Sequence, residues 1–295
     1  MSSNNYANLK KEHPCFGGLK NNKGRIHLPV SPGCNIQCKF CERKISDTEN
    51  RPGVSSAVIS PEEALTVIER ALALCPDITV AGVAGPGDTL ATSYALDTFR
   101  LIRDKYPNLL KCMSTNGLLL AENAGELIEV GIDSLTVTVN AVDPQIEAKI
   151  NSAIIFHGKK YEGIKAARIL IENQLEGIRK VSSAGITVKV NTVLIPGIND
   201  DHIEAVAKAV SDAGATIYNI IPLIPQHELE HIPAPTCQQI DEARVKAEKY
   251  IDVFRHCQRC RADAIGVPGK SDYGDRIYQR RIANKDTFSH GEDTG

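Results

Sequence analysis

Short β-rich runs alternate with amphipathic helical runs from residue 25 to residue 224. The predicted strands are residues 25–30, 78–83, 111–114, 134–139, 187–193 and 216–221. The predicted helices are residues 61–74, 92–105, 124–130, 163–184 and 201–213. Repeated βα units predict a parallel sheet with right-handed crossovers, and six strands are too few for a closed eight-stranded barrel. We therefore predict an α/β fold, a partial TIM-like (βα)6 barrel of parallel strands with N- and C-terminal extensions that cover the barrel mouth.

The chain divides into three predicted parts: an N-terminal extension (residues 1–24), the barrel (25–224) and a C-terminal extension (225–295). The composition, with 42% hydrophobic and 24% charged residues, is that of an ordinary soluble domain. The formal net charge of −2 gives no excess of positive charge for binding nucleic acid. No apolar run is long enough to span a membrane, and the polar N-terminus lacks the apolar core of a signal peptide. We expect a cytoplasmic protein without nucleic-acid or membrane partners.

Two of the predicted strands alternate polar and apolar residues. This pattern is present from Ser134 to Asn140 and again from Thr187 to Asn191. A parallel strand that is buried on both faces normally reads as continuously apolar. A polar face inside a barrel is poor packing material, so we expect the lumen to surround a polar ligand. The alternative is that one face of these strands is exposed to solvent.

Cys34, Cys38 and Cys41 directly follow the first predicted strand, at the carboxyl-terminal mouth where barrel enzymes place their active sites. Three thiolates on one short loop can bind three irons of a [4Fe–4S] cluster and leave the fourth iron open. That iron can bind the amino and carboxylate groups of a small molecule. The alternative is a zinc site, which needs four ligands and usually two CxxC pairs.

The CxxxCxxC spacing, with Phe40 just before the last cysteine, resembles the hallmark of the radical S-adenosylmethionine (SAM) superfamily. The resemblance covers most of the chain. It implies a [4Fe–4S] cluster on Cys34, Cys38 and Cys41 that cleaves SAM to methionine and a 5′-deoxyadenosyl radical. The three cysteines are then the catalytic residues.

Polar and glycine residues end several strands at the same mouth. Residues 82–88 look like the superfamily's glycine-rich segment that holds the SAM amino group. The predicted SAM-binding residues are Gly85, Gly87, Ser114, Thr115, Asn116, Thr138, Asn140 and Asn191, with Ile150 in apolar contact with the adenosyl part. The alternative for each is a plain strand-end cap.

The chain carries more soft ligands than one cluster needs. Nine cysteines without an export signal point to metal or redox chemistry rather than disulfides. The additional candidate metal ligands are Cys15, His27, Cys112, Cys257 and Cys260. Together they predict further iron–sulfur clusters, whose negative charge Arg255, Arg259 and Arg261 could offset. Taken singly, each residue could instead be a core residue, and the CxxC pair a zinc ligand or a redox dithiol.

The whole set closely resembles the compact form of the NifB family of nitrogenase iron–molybdenum cofactor biosynthesis. The matching segments are residues 13–15, 34–41, 51–54, 82–88, 114–117, 188–191, 195–200, 219–222 and 257–266. The resemblance implies a carbide synthase that fuses two [4Fe–4S] clusters, which are its substrate, around a carbon from SAM. Cys15, His27 and Cys112 would hold one accessory cluster, and Cys257 and Cys260 part of the other. The implied partners are an iron–sulfur cluster donor, a carrier or scaffold that accepts the cofactor, and an electron donor such as ferredoxin or flavodoxin.

The sequence departs from this family at one place. The family usually has another cysteine before the Arg51 segment, whereas residues 42–50 contain none. One accessory cluster would then be held by Asp47, Glu49 or an added sulfide, or be bound only transiently. Two other hypotheses stay open: a radical SAM enzyme with an organic substrate and one auxiliary cluster or zinc, and a non-enzymatic iron–sulfur carrier.

Overall fold

The computed structural model describes residues 2–17 and 22–278. Its strands are β1 (Gly24–His27), β2 (Ile36–Cys38), β3 (Ile78–Val83), β4 (Leu110–Thr115), β5 (Ser134–Thr138), β6 (Asn151–Phe156), β7 (Lys159–Glu162), β8 (Thr187–Leu194), β9 (Ile217–Pro222) and β10 (Ile265–Gly266). Its α-helices are α1 (Ser2–Glu12), α2 (Pro61–Leu74), α3 (Tyr94–Lys105), α4 (Leu120–Glu129), α5 (Pro144–Ile150), α6 (Gly163–Ser183), α7 (Ile203–Asp212), α8 (Cys237–Ala247) and α9 (Gly274–Tyr278). Short 3-10 turns cover Asp200–His202 and His227–Leu229.

The main sheet has the strand order β10-β1-β3-β4-β5-β8-β9. Neighbouring strands from β1 to β9 are parallel, and only β10 runs antiparallel to its neighbour β1. The six parallel strands correspond to the six predicted ones. Apolar side chains of the strands and of the intervening helices form the main core. The prediction of an α/β partial barrel is confirmed.

Helix α2 begins with a strong local signal in the sequence. Ser60 Oγ accepts the Glu63 backbone N–H, the Glu63 carboxylate accepts the Ser60 N–H, and Pro61 occupies the first turn. This capping box fixes the start of the helix because it satisfies backbone donors that have no partner within the helix. The predicted bounds of this helix agree with the structure.

A second, smaller sheet was not predicted. Its order is β2-β6-β7, and all its pairings are antiparallel. Strand β2 belongs to the loop that carries the cysteine triplet, and the β6–β7 hairpin directly follows α5. The hairpin therefore supports the cysteine loop from a distant part of the sequence.

The two extensions do not both lie at the predicted mouth. Leu9 of α1 packs with Leu110 and Ile217, the first residues of β4 and β9, so α1 closes the amino-terminal end of the barrel. The C-terminal segment leaves the edge of β9, where the Phe254 N–H donates to Tyr218 O (2.7 Å), and then pairs with β1 through β10. It spans the lateral gap between the first and last parallel strands.

None of the helices in the described residues is long and apolar enough to cross a membrane.

The α4–α6 crossing gives a stability prediction. A Cβ on Gly177 of α6 would lie 2.6 Å from Leu120 Cγ and 2.9 Å from Ala121 N of α4. We expect Gly177→Ala to lower the free energy of unfolding by about 1–3 kcal/mol, because two packed helices would have to separate. Gly125 of α4 has no neighbouring atom within 4 Å of such a Cβ. Gly125→Ala should therefore stabilise the protein by about 0.5–1 kcal/mol through helix propensity.

Anaerobic urea denaturation of both variants checks this prediction. Equal effects of the two substitutions would contradict the close helix crossing.

Candidate functional site

The cysteine loop is held from two sides. The Lys39 N–H donates to Ile150 O at 2.9 Å, and the Ile155 N–H donates to Asn35 O at 2.8 Å, which ties the loop to α5 and β6. Cys34 and Cys38 pack against the small apolar cluster formed by Ile36, Leu118, Ile154, Ala166 and Leu170. The loop therefore presents its half-buried thiols from a fixed backbone.

The chemistry of these thiols fits an iron–sulfur cluster. Burial raises the pKa of Cys34 to about 11 and the pKa of Cys38 well above its ordinary value, so deprotonation requires a bound cation. In residues 2–17 and 22–278, no three His, Cys, Asp or Glu side chains converge on the position of a single metal ion. A cluster does not require this, because each thiolate binds an iron of its own.

The glycine-rich segment packs directly on the cysteine loop. The Gly87 N–H donates to Ser31 O and the Asp88 N–H to Gly33 O, both at 2.7 Å. A Cβ on Gly87 would lie 1.9 Å from Gly33 O, so only glycine permits this approach. Gly85 has a φ of +124°, a second position that requires glycine.

Asp88 joins this segment to the end of β4. Its carboxylate accepts the Asn116 N–H (2.6 Å), the Leu90 N–H (3.0 Å) and the Thr115 hydroxyl (3.0–3.1 Å). Asn116 Nδ2 in turn donates to Asn35 Oδ1 at 2.7 Å and lies 3.8 Å from Cys34 Sγ. The carboxylate thus fixes Asn116 beside the cysteine loop.

Apart from Gly85 and Gly87, the predicted SAM residues fall into two groups. Ser114, Thr138 and Asn191 line the barrel lumen. Four others are buried and already have partners: Thr115 donates to Asp88, Asn116 contacts the cysteine loop, Asn140 accepts the Val193 N–H, and Ile150 packs in an apolar cluster. The SAM contacts of both groups stay predictions.

The lumen is a cavity of about 340 Å³ lined by layers of side chains from neighbouring strands. One layer contains Ser114, Thr136 and Lys189, which are register partners across β4, β5 and β8. The next layer contains Thr138 and Asn191, paired across β5 and β8. The alternating strands therefore turn their polar faces toward an enclosed space.

All five additional candidate ligands line this same cavity: Cys15, His27, Cys112, Cys257 and Cys260. His27 of β1 and Cys112 of β4 flank Gly82 of β3 in register. A Cβ on Gly82 would lie 3.2 Å from His27 Cδ2 and 3.8 Å from Cys112 Cβ. Glycine at this position leaves the space between them open.

The His27 ring is prepared to act as a ligand. Its Nδ1 lies 2.8 Å from Arg261 O, and because a carbonyl only accepts, Nδ1 carries the proton. The lone pair of Nε2 is then available, which is the arrangement that ligating histidines usually have. Burial lowers the pKa of His27 to about 4, so the ring is neutral at physiological pH.

The CxxC pair is anchored by charged side chains. Arg25 donates to Gly266 O at 2.7 Å and lies 3.5 Å from Cys260 Sγ. Arg261 pairs with Asp263 at 2.8–2.9 Å and donates to Ser46 O at 2.9 Å. Arg261 therefore ties the C-terminal segment to the loop that lacks the family's cysteine.

That loop offers no obvious replacement ligand. The Glu49 carboxylate is bound by Lys44 (2.5 Å) and Arg51 (2.7 Å), and Asp47 does not line the cavity. Two of the arginines that were expected to offset cluster charge are also engaged elsewhere, Arg261 with Asp263 and Arg255 with Glu248.

Sequence reasoning missed two buried ionisable residues. Lys189 lies in the lumen, where the thiols around it outweigh the effect of burial and raise its pKa. Glu147 of α5 is 1% exposed, and burial raises its pKa to about 7. The alternating pattern of β8 could have revealed Lys189, whereas nothing local marked Glu147.

Comparison with known proteins identifies the family. The model of the radical SAM superfamily matches residues 28–210. The "FeMo cofactor biosynthesis protein NifB" of Methanocaldococcus infernus is 47% identical over 265 residues, which cover 89% of this chain and 87% of that protein. The chain belongs to the NifB family of radical SAM proteins. The NifB protein of Azotobacter vinelandii is 39% identical and longer, so that this chain covers 56% of it.

Solved structures agree on the fold. A radical SAM methyltransferase from Sphaerobacter thermophilus superposes with a TM-score of 0.58 at 16% identity, covering 78% of this chain and 65% of that one. SuiB of Streptococcus suis bound to S-adenosylmethionine gives 0.55 at 11% identity, covering 81% and 53% of the respective chains. At these identities the likeness establishes the fold of this NifB-family chain alone.

Membership of the radical SAM superfamily implies a [4Fe–4S] cluster and SAM. The residues present fit them, since three thiols converge beside a glycine cradle and the buried Asn35 Nδ2 has no hydrogen-bond partner among the described residues.

Glu147 gives a pH prediction. Its carboxyl accepts from Asn151 Nδ2 and from the Ala141 backbone N–H, but burial outweighs both contacts. The folded-state pKa of about 7 lies above the ordinary 4.5, so folding favours the protonated carboxyl. This stabilisation is complete below the unfolded pKa and is lost as the pH rises through 7. We expect Glu147→Gln to remove about 3 kcal/mol of pH dependence between pH 4.5 and 7.

Anaerobic unfolding of the apoprotein at several pH values, compared between wild type and Glu147→Gln, measures this difference. Parallel stability curves would show that Glu147 titrates normally.

Proposed function

We propose that this NifB-family chain is a radical SAM enzyme of FeMo cofactor biosynthesis. Its substrate is a pair of [4Fe–4S] clusters, which it fuses around a carbon taken from SAM into an eight-iron precursor. The observation that carries the proposal is the convergence of Cys15, His27, Cys112, Cys257 and Cys260 in the lumen next to the cysteine triplet.

The lumen residues favour an iron–sulfur substrate over an organic one. Four thiols and a neutral imidazole are soft or borderline ligands that suit iron and sulfide. The ligands come from the N-terminal segment, from two strands and from the C-terminal segment. Cys15, His27 and Cys112 would hold one substrate cluster, and Cys257 and Cys260 part of the other.

One SAM bound at the cluster on Cys34, Cys38 and Cys41 would supply a methyl group for a substrate sulfide, and a second SAM would supply the 5′-deoxyadenosyl radical that abstracts hydrogen from that methyl group. The chain's own residues orient and shield these groups. The Asp88 network holds Asn116 and the glycine-rich segment against the cysteine loop. Phe40 and Arg51 also line the cavity that contains the candidate cluster ligands. The C-terminal segment closes the side of the barrel and keeps water from the reacting centre.

In this proposal the second substrate cluster has two protein thiolates, because residues 42–50 contain no cysteine. The segment that carries Cys257 and Cys260 is joined to the barrel by backbone bonds and by Arg25 and Arg261, whereas Glu49 is engaged by Lys44 and Arg51. An added sulfide would supply a third ligand and leave one iron of the cubane open. Loose attachment suits a cluster that arrives from a donor protein and leaves as product toward a carrier.

Iron counting tests the proposal. Anaerobically reconstituted wild type should bind clearly more than four irons per chain and form 5′-deoxyadenosine from SAM. The double variant Cys257→Ala, Cys260→Ala should lose about four irons, as a cysteine-held cubane requires. The matched control is Cys75→Ala, Cys237→Ala, which removes two cysteines outside the lumen and should leave the iron content unchanged.

Other outcomes would contradict the proposal. If wild type binds only four irons and still cleaves SAM, the chain holds no second or third cluster and the proposed substrate is wrong. Iron binding without formation of 5′-deoxyadenosine would instead indicate a non-enzymatic iron–sulfur carrier.

A further inference from the structure

Lys189 lies deep in the barrel. It belongs to β8, pairs in register with Thr136 of β5, lines the lumen and is 8% exposed. Lysines are rarely buried without a partner, because moving an ammonium out of water costs free energy that only a counter-charge or hydrogen bonds restore.

No carboxylate and no hydrogen-bond acceptor contacts the Lys189 ammonium in the described part of the chain. Its near neighbours are two aromatic rings, with centroids at 6.0 Å (Phe16) and 5.7 Å (Phe254). These distances are at the outer limit of a cation–π contact. The two rings come from the N- and C-terminal segments, so both extensions meet around this charge.

Lys111 is a second buried lysine of the same barrel, and it has a carboxylate partner. It is also 8% exposed, and its Nζ lies 3.9 Å from Asp133 Oδ2. Its side chain leaves β4 on the face opposite to that of Cys112, because successive residues of a strand alternate. The chain thus pairs one buried lysine with a carboxylate and leaves the other facing the lumen.

Four thiols share the lumen with Lys189. They belong to Cys15, Cys112, Cys257 and Cys260, which reach the lumen from three separate parts of the sequence. A cubane held by thiolates carries net negative charge. The lumen therefore contains a cationic side chain where the proposed substrate cluster would carry negative charge.

We propose that Lys189 is the counter-cation of the iron–sulfur substrate, which it retains in the lumen and makes easier to reduce. This inference rests on the proposed function. A fixed positive charge in a medium of low dielectric constant attracts the anionic cluster and favours the added electron.

The test compares Lys189→Met, which removes the charge at similar length, with Lys189→Arg, which keeps it. Each protein is reconstituted anaerobically with inorganic iron and sulfide. Iron release to a chelator and the reduction potential, followed by electron paramagnetic resonance, are then measured. We expect Lys189→Met to release the irons beyond the first four faster. Its cluster signal should shift to more negative potential, by about 59 mV for each tenfold loss in the reduced-to-oxidised ratio. Lys189→Arg, which keeps the charge, should have the wild-type rate of iron release and the wild-type reduction potential.

Lys111→Met is the matched control. It removes a buried lysine of the same barrel from outside the lumen, and it should match wild type in both measurements. Thermal melts show whether each variant is folded. If Lys189→Met is not folded, Lys189→Gln takes its place as the uncharged variant and is compared with Lys189→Arg.

Wild-type iron retention and potential in Lys189→Met would overturn the role of Lys189 while leaving the multi-cluster function intact. Equal shifts in Lys111→Met would also overturn it, because the effect would then be structural. A wild type that binds only four irons would overturn both proposals.

Discussion

The closure of an incomplete barrel is the constraint on which the rest of the structure depends. Six parallel strands leave a gap between β1 and β9 that backbone hydrogen bonds cannot close directly. The C-terminal segment spans it, joined to Tyr218 at one edge and to Arg25 and Ile26 at the other. The segment that closes the sheet also carries Cys257 and Cys260. The same backbone bonds therefore complete the fold and place two thiols in the lumen.

The buried charges are consistent with a lumen that holds metal. Burial keeps His27 neutral and raises the pKa of Cys15 and Cys112, so a bound cation is what would favour loss of these thiol protons. Glu147, near Cys38, is held toward its neutral form, which avoids a carboxylate beside an anionic cluster. Lys189 is the exception, a charged group without a carboxylate partner in the part of the chain that the structure describes. These features fit an anionic ligand in the lumen.

Local patterns predicted the barrel well. The six strands and the α2 capping box depend on neighbouring residues, which a sequence displays directly. The pairing of β2 with the β6–β7 hairpin was missed because it joins short strands more than a hundred residues apart, as Ile36 with Ile154. The position of α1 at the amino-terminal end was missed because nothing in its polar sequence distinguishes one end of a barrel from the other. The partners of Thr115 and Asn140 depend on tertiary contacts that periodicity does not encode.

The fate of the carbon from SAM tests the central claim most directly. SAM labelled with ¹³C in its methyl group would be incubated with the fully reconstituted, reduced enzyme, and the label would be traced by electron–nuclear double resonance of the protein-bound clusters. We predict a label strongly coupled to iron in an eight-iron product, together with S-adenosylhomocysteine and 5′-deoxyadenosine. Label confined to S-adenosylmethionine-derived small molecules or an organic product, with no coupling to iron, would contradict the account.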